Sequence, residues 1–217
     1  IQDLAIVKQP NQLVKCVIWD LDNTLWEGVL LEGEIKPRDE IISTIKELDS
    51  HGILNSISSK NNYEEAKVKL ESLGIWEYFI FPKINWSPKS LNIQETIKQM
   101  NIGEDSIIFI DDNLFEREEV QSKLKLLRVY DQNFFPSNLI GILDKIEVTQ
   151  ESKNRRRSYQ IENLRQIEQS SFGTDYLSFL LSCELKMTIE KPTEMTQKTR
   201  AKELLNRTNQ LNLSTKR

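Results

Sequence analysis

Asp20 and Asp22 stand two residues apart, directly after the apolar run Val17-Ile18-Trp19, and Thr24 follows them. Two carboxylates at this spacing suit a divalent cation held beside a nucleophile that attacks phosphorus. Asp20 can form an aspartyl phosphate. Asp22 can protonate the leaving oxygen and later take a proton from water. Three further positions fit the same chemistry: Ser59, Lys89 and the pair Asp111-Asp112. Ser59 can hydrogen-bond a phosphoryl oxygen. Lys89 can neutralise charge on nucleophile and phosphate. Asp111 or Asp112 can complete a Mg²⁺ site, which needs hard oxygen ligands. Taken singly, each has a blander reading: an acidic turn, a turn serine, a helix-capping lysine. Their ordered recurrence along the chain favours the chemical one.

These residues need elements to bring them together. The run from Val14 to Asp20 reads as a first strand buried on both faces. Residues 37–50 carry a helical apolar stripe closed by Gly52, and Ile53 to Ser58 reads as a second strand. A helix from Asn61 to Leu73, with Ala66, Val68, Leu70 and Leu73 inside, stops at Gly74. A short strand is expected over Tyr78 to Phe81, ended by Pro82. Pro88 opens a helix to about Met100. A strand over Ser106 to Ile110 runs into Asp111-Asp112. A helix near 115–122, a strand over 125–130 and a last helix to about 146 follow. Alternating strands and helices imply an α/β fold with a doubly wound parallel sheet. Ligands of such sheets bind at the carboxyl ends of the strands, where these acids fall.

The pattern changes near Thr149, so two domains are expected: 1–148, carrying the phosphoryl chemistry, and 149–217. The second reads as a polar helix over 151–169, a turn, a helix over 176–181, an exposed strand over 183–190 and a helix to about Asn206. It is short for a domain, and the chain is expected to belong to a longer polypeptide. Residues 153–217 hold 13 Lys+Arg against 7 Asp+Glu, although the whole chain is net −4. That basic half can meet an acidic partner or an anionic substrate. No apolar run approaches the roughly 18 residues of a membrane span. Ile1-Gln2-Asp3 does not read as a signal peptide, two cysteines make no disulfide framework, and a cytoplasmic location is expected. No nucleic-acid motif stands out in this acidic chain.

The ordered set Asp20-x-Asp22, Ser59, Lys89, Asp111-Asp112 resembles the haloacid dehalogenase superfamily over about residues 14–146. The resemblance implies Asp20 as nucleophile, Asp22 as acid/base with its backbone carbonyl on the metal, and Mg²⁺ as cofactor held by Asp20, Asp22, Asp111 and Asp112. Of the last two acids, Asp112 is favoured as the direct ligand. The insertions at 24–37 and 59–89 are short, so the site is expected to be capless or nearly so. The C-terminal unit is then the candidate lid.

Longer strings narrow the resemblance. Trp19-Asp20-Leu21-Asp22-Asn23-Thr24-Leu25-Trp26-Glu27-Gly28, Ser59-Lys60-Asn61-Asn62, Asn85-Trp86-Ser87-Pro88-Lys89-Ser90, Phe109-Ile110-Asp111-Asp112-Asn113 with Glu116-Arg117, and Arg207-Thr208-Asn209-Gln210-Leu211-Asn212 together resemble the FkbH-like family. Glu27 departs from it, standing where the family usually has Gly. The resemblance implies a glyceryl transferase and phosphatase that uses 1,3-bisphosphoglycerate and loads an acyl carrier protein in polyketide biosynthesis. It also implies an acetyltransferase-like C-terminal unit, here incomplete. On that basis Thr24, Ser59, Lys60, Asn61, Arg207, Asn209 and Gln210 are expected to bind substrate. A cysteine thiolate would take the acyl group, and the carrier's phosphopantetheine thiol would receive it.

Cys16 lies four residues before Asp20 on one strand, roughly 13 Å away at about 3.3 Å per residue, inside the sheet. A buried strand cysteine is usually inert. Cys183, in Leu181-Ser182-Cys183-Glu184, is therefore the expected acyl-carrying nucleophile. His51, the single histidine, precedes the second strand and so falls at the opposite end of the sheet. The thiol thus has no histidine partner and depends on cations or a helix terminus for activation. Two readings compete with this one. The first is a simple Mg²⁺-dependent phosphatase of small molecules or phosphoproteins. The second is a non-catalytic docking module, which the intact acidic set argues against.

Overall fold

The computed structural model describes residues 13–171 and, beyond them, 177, 180, 181, 184, 186 and 188–207. Five parallel strands form one sheet in the order β5-β4-β1-β6-β7: β1 Cys16–Trp19, β4 Leu54–Ser59, β5 Lys83–Ile84, β6 Ile107–Ile110 and β7 Arg128–Tyr130. The central β1 pairs with β4 on one side and β6 on the other, so that Trp19 lies opposite both Ile57 and Ile110. Helices α1 (Asp39–Ser50), α2 (Tyr63–Ser72), α3 (Lys89–Met100), α4 (Leu114–Lys123) and α5 (Phe134–Leu143) complete the α/β layers.

Strand alternation divides the core in two. Val17 and Trp19 of β1, with Ile108 and Ile110 of β6, pack against Ile41, Ile45 and Leu48 of α1, Leu70 of α2 and Phe135 of α5. Cys16 and Ile18, with Ile107 and Phe109, pack with Ile93 and Met100 of α3 and Val120 of α4. The sheet thus has both faces covered, as a parallel sheet requires. β4 is fully buried despite its polar sequence LNSISS. Asn55 is kept there by hydrogen bonds, accepting from Trp19 Nε1 at 2.9 Å and donating to the Ile45 carbonyl at 3.2 Å.

Between β1 and α1 the chain makes only a small excursion. Asn23 adopts a left-handed φ of +54°, and an antiparallel hairpin follows, β2 (Trp26–Glu27) with β3 (Lys36–Pro37). Gly28, at φ +97°, donates its N–H to the Asn23 side chain at 3.0 Å.

Several elements differ from the sequence expectations. The strand expected over 78–81 is instead a 3-10 turn (Trp76–Tyr78) and an isolated bridge from Phe79 to Asn55, with β5 forming only at Lys83–Ile84. Phe81 is left-handed at φ +49°, and Pro82 has no N–H to give a ladder, so pairing breaks before it resumes. Val68 was expected inside α2 but is 63% exposed. The buried stripe there is Ala66 and Leu70, spaced i, i+4, which turns Val68 outward.

Past α5, Thr149 caps a short helix α6 (Gln150–Lys153) with a reciprocal Thr149–Ser152 capping box. α7 (Arg155–Ser171) follows. Its first turns dock on the sheet domain. Arg156 pairs with Asp49 at 2.9 Å and lies 4.8 Å from the Tyr78 ring centroid. Arg155 donates to the Gly52 carbonyl at 2.8 Å, and Tyr159 donates to the Met100 carbonyl at 2.9 Å. Arg155 and Arg156, two cations of the basic half, are therefore engaged within the chain. A Cβ at Gly52 would meet the Ser152 carbonyl oxygen at 2.5 Å, so this close approach needs glycine, which also sits at φ +76°. Farther along α7, Leu164 is 60% exposed.

The chain divides into two compact units between Gln166 and Ile167. In the second, α8 spans Met195–Arg207. The described residues within 183–190 carry no strand. Among the described residues no helix is long and apolar enough to cross a membrane.

Candidate active site

β1, β4 and β6 end side by side, and each delivers a polar group where its backbone leaves the sheet. Asp20 follows β1, Ser59 ends β4, and Asp111-Asp112 follow β6. The fourth group comes from a helix: Lys89 is the first residue of α3, directly after Pro88. The fold therefore gathers residues from 20 to 112 at one sheet edge.

Lys89 is the hub. Its Nζ lies 3.0 Å from Asp20 Oδ1 and 2.5 Å from Asp111 Oδ2, and all three side chains are buried. Burial pushes the Asp20 carboxyl up to about 7, against the pull of Lys89 and with the help of the neighbouring Asp111 charge. Burial also raises Asp111, again opposed by Lys89. Burial works against the Lys89 cation, but the charges of Asp20 and Asp111 outweigh it, and its pKa lies above the usual lysine value. Two desolvated acids thus share one cation, an arrangement short of positive charge.

One oxygen each of Asp20, Asp111 and Asp112 lies within 4.8 Å of the others. A hard divalent cation such as Mg²⁺ suits an all-oxygen set of this kind and would supply the missing positive charge. The two final acids differ in their engagements. Asp111 has both oxygens occupied, Oδ2 by Lys89 and Oδ1 by the Asn113 N–H at 2.9 Å. The Asp112 carboxylate makes no hydrogen bond or ion pair among the described residues and is only partly buried.

Asp22 is not part of that three-acid cluster, and its carboxylate is held by three donors of its own. Oδ1 accepts from Trp26 Nε1 at 2.8 Å and from the Leu30 N–H at 3.1 Å. Oδ2 accepts from Asn61 Nδ2 at 3.0 Å. Ser59 is buried, and its hydroxyl works weakly against the burial that raises the Asp20 carboxyl. Thr24 is fully buried, and its hydroxyl oxygen accepts the Asp112 N–H at 3.1 Å, tying the first acidic loop to the last. Lys60 pairs with Glu116 at 2.8 Å and stays partly exposed. Cys16 is fully buried, and burial drives its thiol far above the usual range, so it stays a thiol. His51 caps α1 at the other end of the sheet domain, with Nδ1 2.9 Å from the Glu47 carbonyl oxygen. Cys183, Asn209 and Gln210 lie outside the described residues. Arg207 ends α8.

The supporting roles of four further residues were not legible in the sequence. Glu119 accepts from the Ser90 hydroxyl at 2.5 Å and the Ser90 N–H at 3.2 Å, fixing the first turn of α3 that carries Lys89. Arg117 donates to the carbonyls of Asp111 and Asp112, both at 2.7 Å. Trp26 and Asn61 grip Asp22. Only Trp26 had a local signal, four residues after the carboxylate it binds.

Residues 23–122 match the family described as haloacid dehalogenase-like hydrolase. None of the curated proteins matches significantly. Among solved structures, the chain is similar to the N-terminal part of a Bacteroides fragilis protein containing a phosphatase domain complexed with Mg. The two are 29% identical with a TM-score of 0.54, over 64% of this chain and 42% of that one. The chain thus matches less than half of that protein's length. It is also similar to a putative haloacid dehalogenase-superfamily hydrolase from Legionella pneumophila, at 16% identity and TM-score 0.47, over 69% and 90% of the chains. A cobalt-bound deoxy-D-mannose-octulosonate 8-phosphate phosphatase from Haemophilus influenzae is 16% identical with TM-score 0.46, over 79% and 96%.

Proposed function

We propose that this chain, with its haloacid dehalogenase-like hydrolase domain, removes a phosphoryl group through Asp20 as the dephosphorylating arm of a glyceryl-loading enzyme. The observation that carries the phosphoryl reading is the buried Lys89 bridging Asp20 and Asp111 beside an unengaged Asp112. Lys89 holds the Asp20 carboxylate ready to attack phosphorus and meets the charge of the phosphoryl group. Ser59 stands beside Asp20 to donate to a phosphoryl oxygen. Asp22 gives the leaving oxygen its proton and recovers one from water. Asp20, Asp111 and Asp112, with the Asp22 carbonyl, would hold Mg²⁺, which when bound neutralises charge on the phosphoryl oxygens.

Asp112, with its oxygens free, is the acid placed to bind the metal directly, whereas Asp111 would reach it while also anchoring Lys89. Asp112→Asn is therefore expected to weaken Mg²⁺ binding by at least about 10-fold, on the scale of a lost charged hydrogen-bonding group, with little loss of thermal stability. Titration calorimetry with Mg²⁺ checks this; unchanged affinity would place the metal elsewhere.

The finer reading rests on the strings around Asp20, Ser59, Lys89, Asp111 and Arg207 that resemble the FkbH-like family. It is consistent with the small β2–β3 hairpin, which leaves the strand ends without a large cap within residues 13–166. In this reading Cys183 takes the glyceryl group of 1,3-bisphosphoglycerate as a thioester. Arg207, Asn209 and Gln210 bind the glyceryl moiety, Thr24 and Lys60 flank the phosphate end, and an acyl carrier protein receives the group. Intact-mass analysis after incubation with 1,3-bisphosphoglycerate, Mg²⁺ and carrier tests it. A glyceryl adduct is expected on the wild type and not on Cys183→Ala. A full adduct on the variant would remove Cys183 from the mechanism. Phosphate release without carrier acylation would leave a simple phosphatase.

A further inference from the structure

Asp22 is held by more donors than a loop carboxylate needs. Trp26 Nε1–H and the Leu30 N–H both donate to Oδ1, and Asn61 Nδ2 donates to Oδ2. The three donors come from separate places: β2, the 3-10 turn Leu30–Glu32 and the β4–α2 loop. None of them can reverse its role. An indole N–H and a backbone N–H only donate. The Asn61 amide is oriented by its own oxygen, which accepts the Asn62 N–H at 3.0 Å and so turns its NH₂ group to Asp22. Trp26 is fully buried and Asn61 nearly so, which makes an alternative partner for either costly.

A carboxylate offers about four lone-pair positions, two on each oxygen. The two donors to Oδ1 fill both of its positions. Oδ2 has one filled, by Asn61, and one left. We infer that Trp26 and Asn61 are positioning residues that leave Oδ2 of Asp22 as the single atom able to carry the transferred proton, and that they aim it at the leaving oxygen.

The inference rests on the phosphoryl-transfer reading of this site. As the Asp20–phosphorus bond forms and the phosphorus–leaving-oxygen bond breaks, the Oδ2 proton passes to the leaving oxygen. In the second step a water oxygen bonds to phosphorus, the Asp20–phosphorus bond breaks, and the water proton returns to Oδ2. Trp26 and Asn61 touch neither reacting bond. They fix which oxygen of Asp22 acts and where it points.

Leaving groups that do not need a proton separate positioning from general structural support. We would measure kcat/KM, which reports the first step, for p-nitrophenyl phosphate and for glycerol 3-phosphate. Wild type, Asn61→Ala and Trp26→Phe would be compared in the full chain with Mg²⁺. General acid catalysis contributes about 10²- to 10⁴-fold. The variants are therefore expected to lose about 10-fold or more on the alkyl ester beyond their loss on the nitrophenyl ester. Equal losses on both esters, or no loss, in the variants that fold would overturn the inference while leaving the Asp20 chemistry standing. A wild type that hydrolyses neither ester and forms no phosphoenzyme would overturn that chemistry and this inference with it. Trp26 is a core residue and its replacement can disturb folding; Asn61→Ala, which removes a smaller loop side chain, keeps the test decisive.

Discussion

Asp20→Asn is expected to abolish phosphate release, by at least about 10³-fold as for other catalytic nucleophiles, while making the metal-free protein more stable at alkaline pH. The activity loss follows from chemistry: an amide cannot form the acyl phosphate. The stability gain follows from burial. The Asp20 carboxyl is pushed up to about 7 in the folded chain because desolvation and Asp111 outweigh Lys89. An unfolded aspartate titrates near its ordinary value, about 3.9. Between those values the folded state holds a proton that the unfolded state has released. Stability from this group is therefore fully present below about pH 4 and is lost as pH rises to about 7. Asn has no such titration. Thermal melts in chelator should show the variant gaining on wild type between pH 5 and pH 8. An equal difference at both pH values would mean that Asp20 is ionised throughout, held so by Lys89.

Lys89→Met is expected to be the most damaging single change to the sheet domain. It removes the one cation between Asp20 and Asp111 and leaves two buried carboxylates facing each other. Removing one partner of a buried ion pair costs about 3–5 kcal/mol, which for a chain of this size lowers Tm by roughly 6–20 °C. The acids escape part of the cost by taking up a proton, so the loss should be larger at pH 8 than at pH 5. Phosphate release should fall by at least about 10²-fold, since charge stabilisation at the phosphoryl group goes with it. Calorimetry and a phosphate-release assay read both effects. A variant that melts like wild type at pH 8 would show that the acids are neutral there and that Lys89 is not their counter-charge. Asp20→Asn and Lys89→Met thus act in opposite directions on stability and in the same direction on activity. Groups placed for chemistry rather than for folding behave in this way.

Much of the site was readable from residue type and position. Asp20 and Asp22 follow an apolar run, Lys89 follows Pro88, and Asp111-Asp112 close another apolar run. Each of these is a local signal of a strand end or helix start, and parallel topology brings strand ends to one edge. The short β5 was misplaced because Phe81 adopts a left-handed conformation that its residue type does not announce. Val68 was misassigned because, on a short helix, one apolar residue off the stripe looks like part of it.

The sequence by itself determined the α/β class, most of the strand and helix order of the sheet domain and the polar residues that the fold gathers at one end of the sheet. Those follow from periodicity, breakers and the chemistry of side chains, all of which are local. Only the tertiary structure decided who holds whom. Asn61 reaches Asp22 across 39 positions and Thr24 meets Asp112 across 88. Glu119 steadies the turn of α3 that bears Lys89, and Asp112 differs from Asp111 in having its oxygens free. A hydrogen bond depends on direction and distances of about 3 Å, and no spacing along a chain encodes those until the sheet has placed its strand ends side by side.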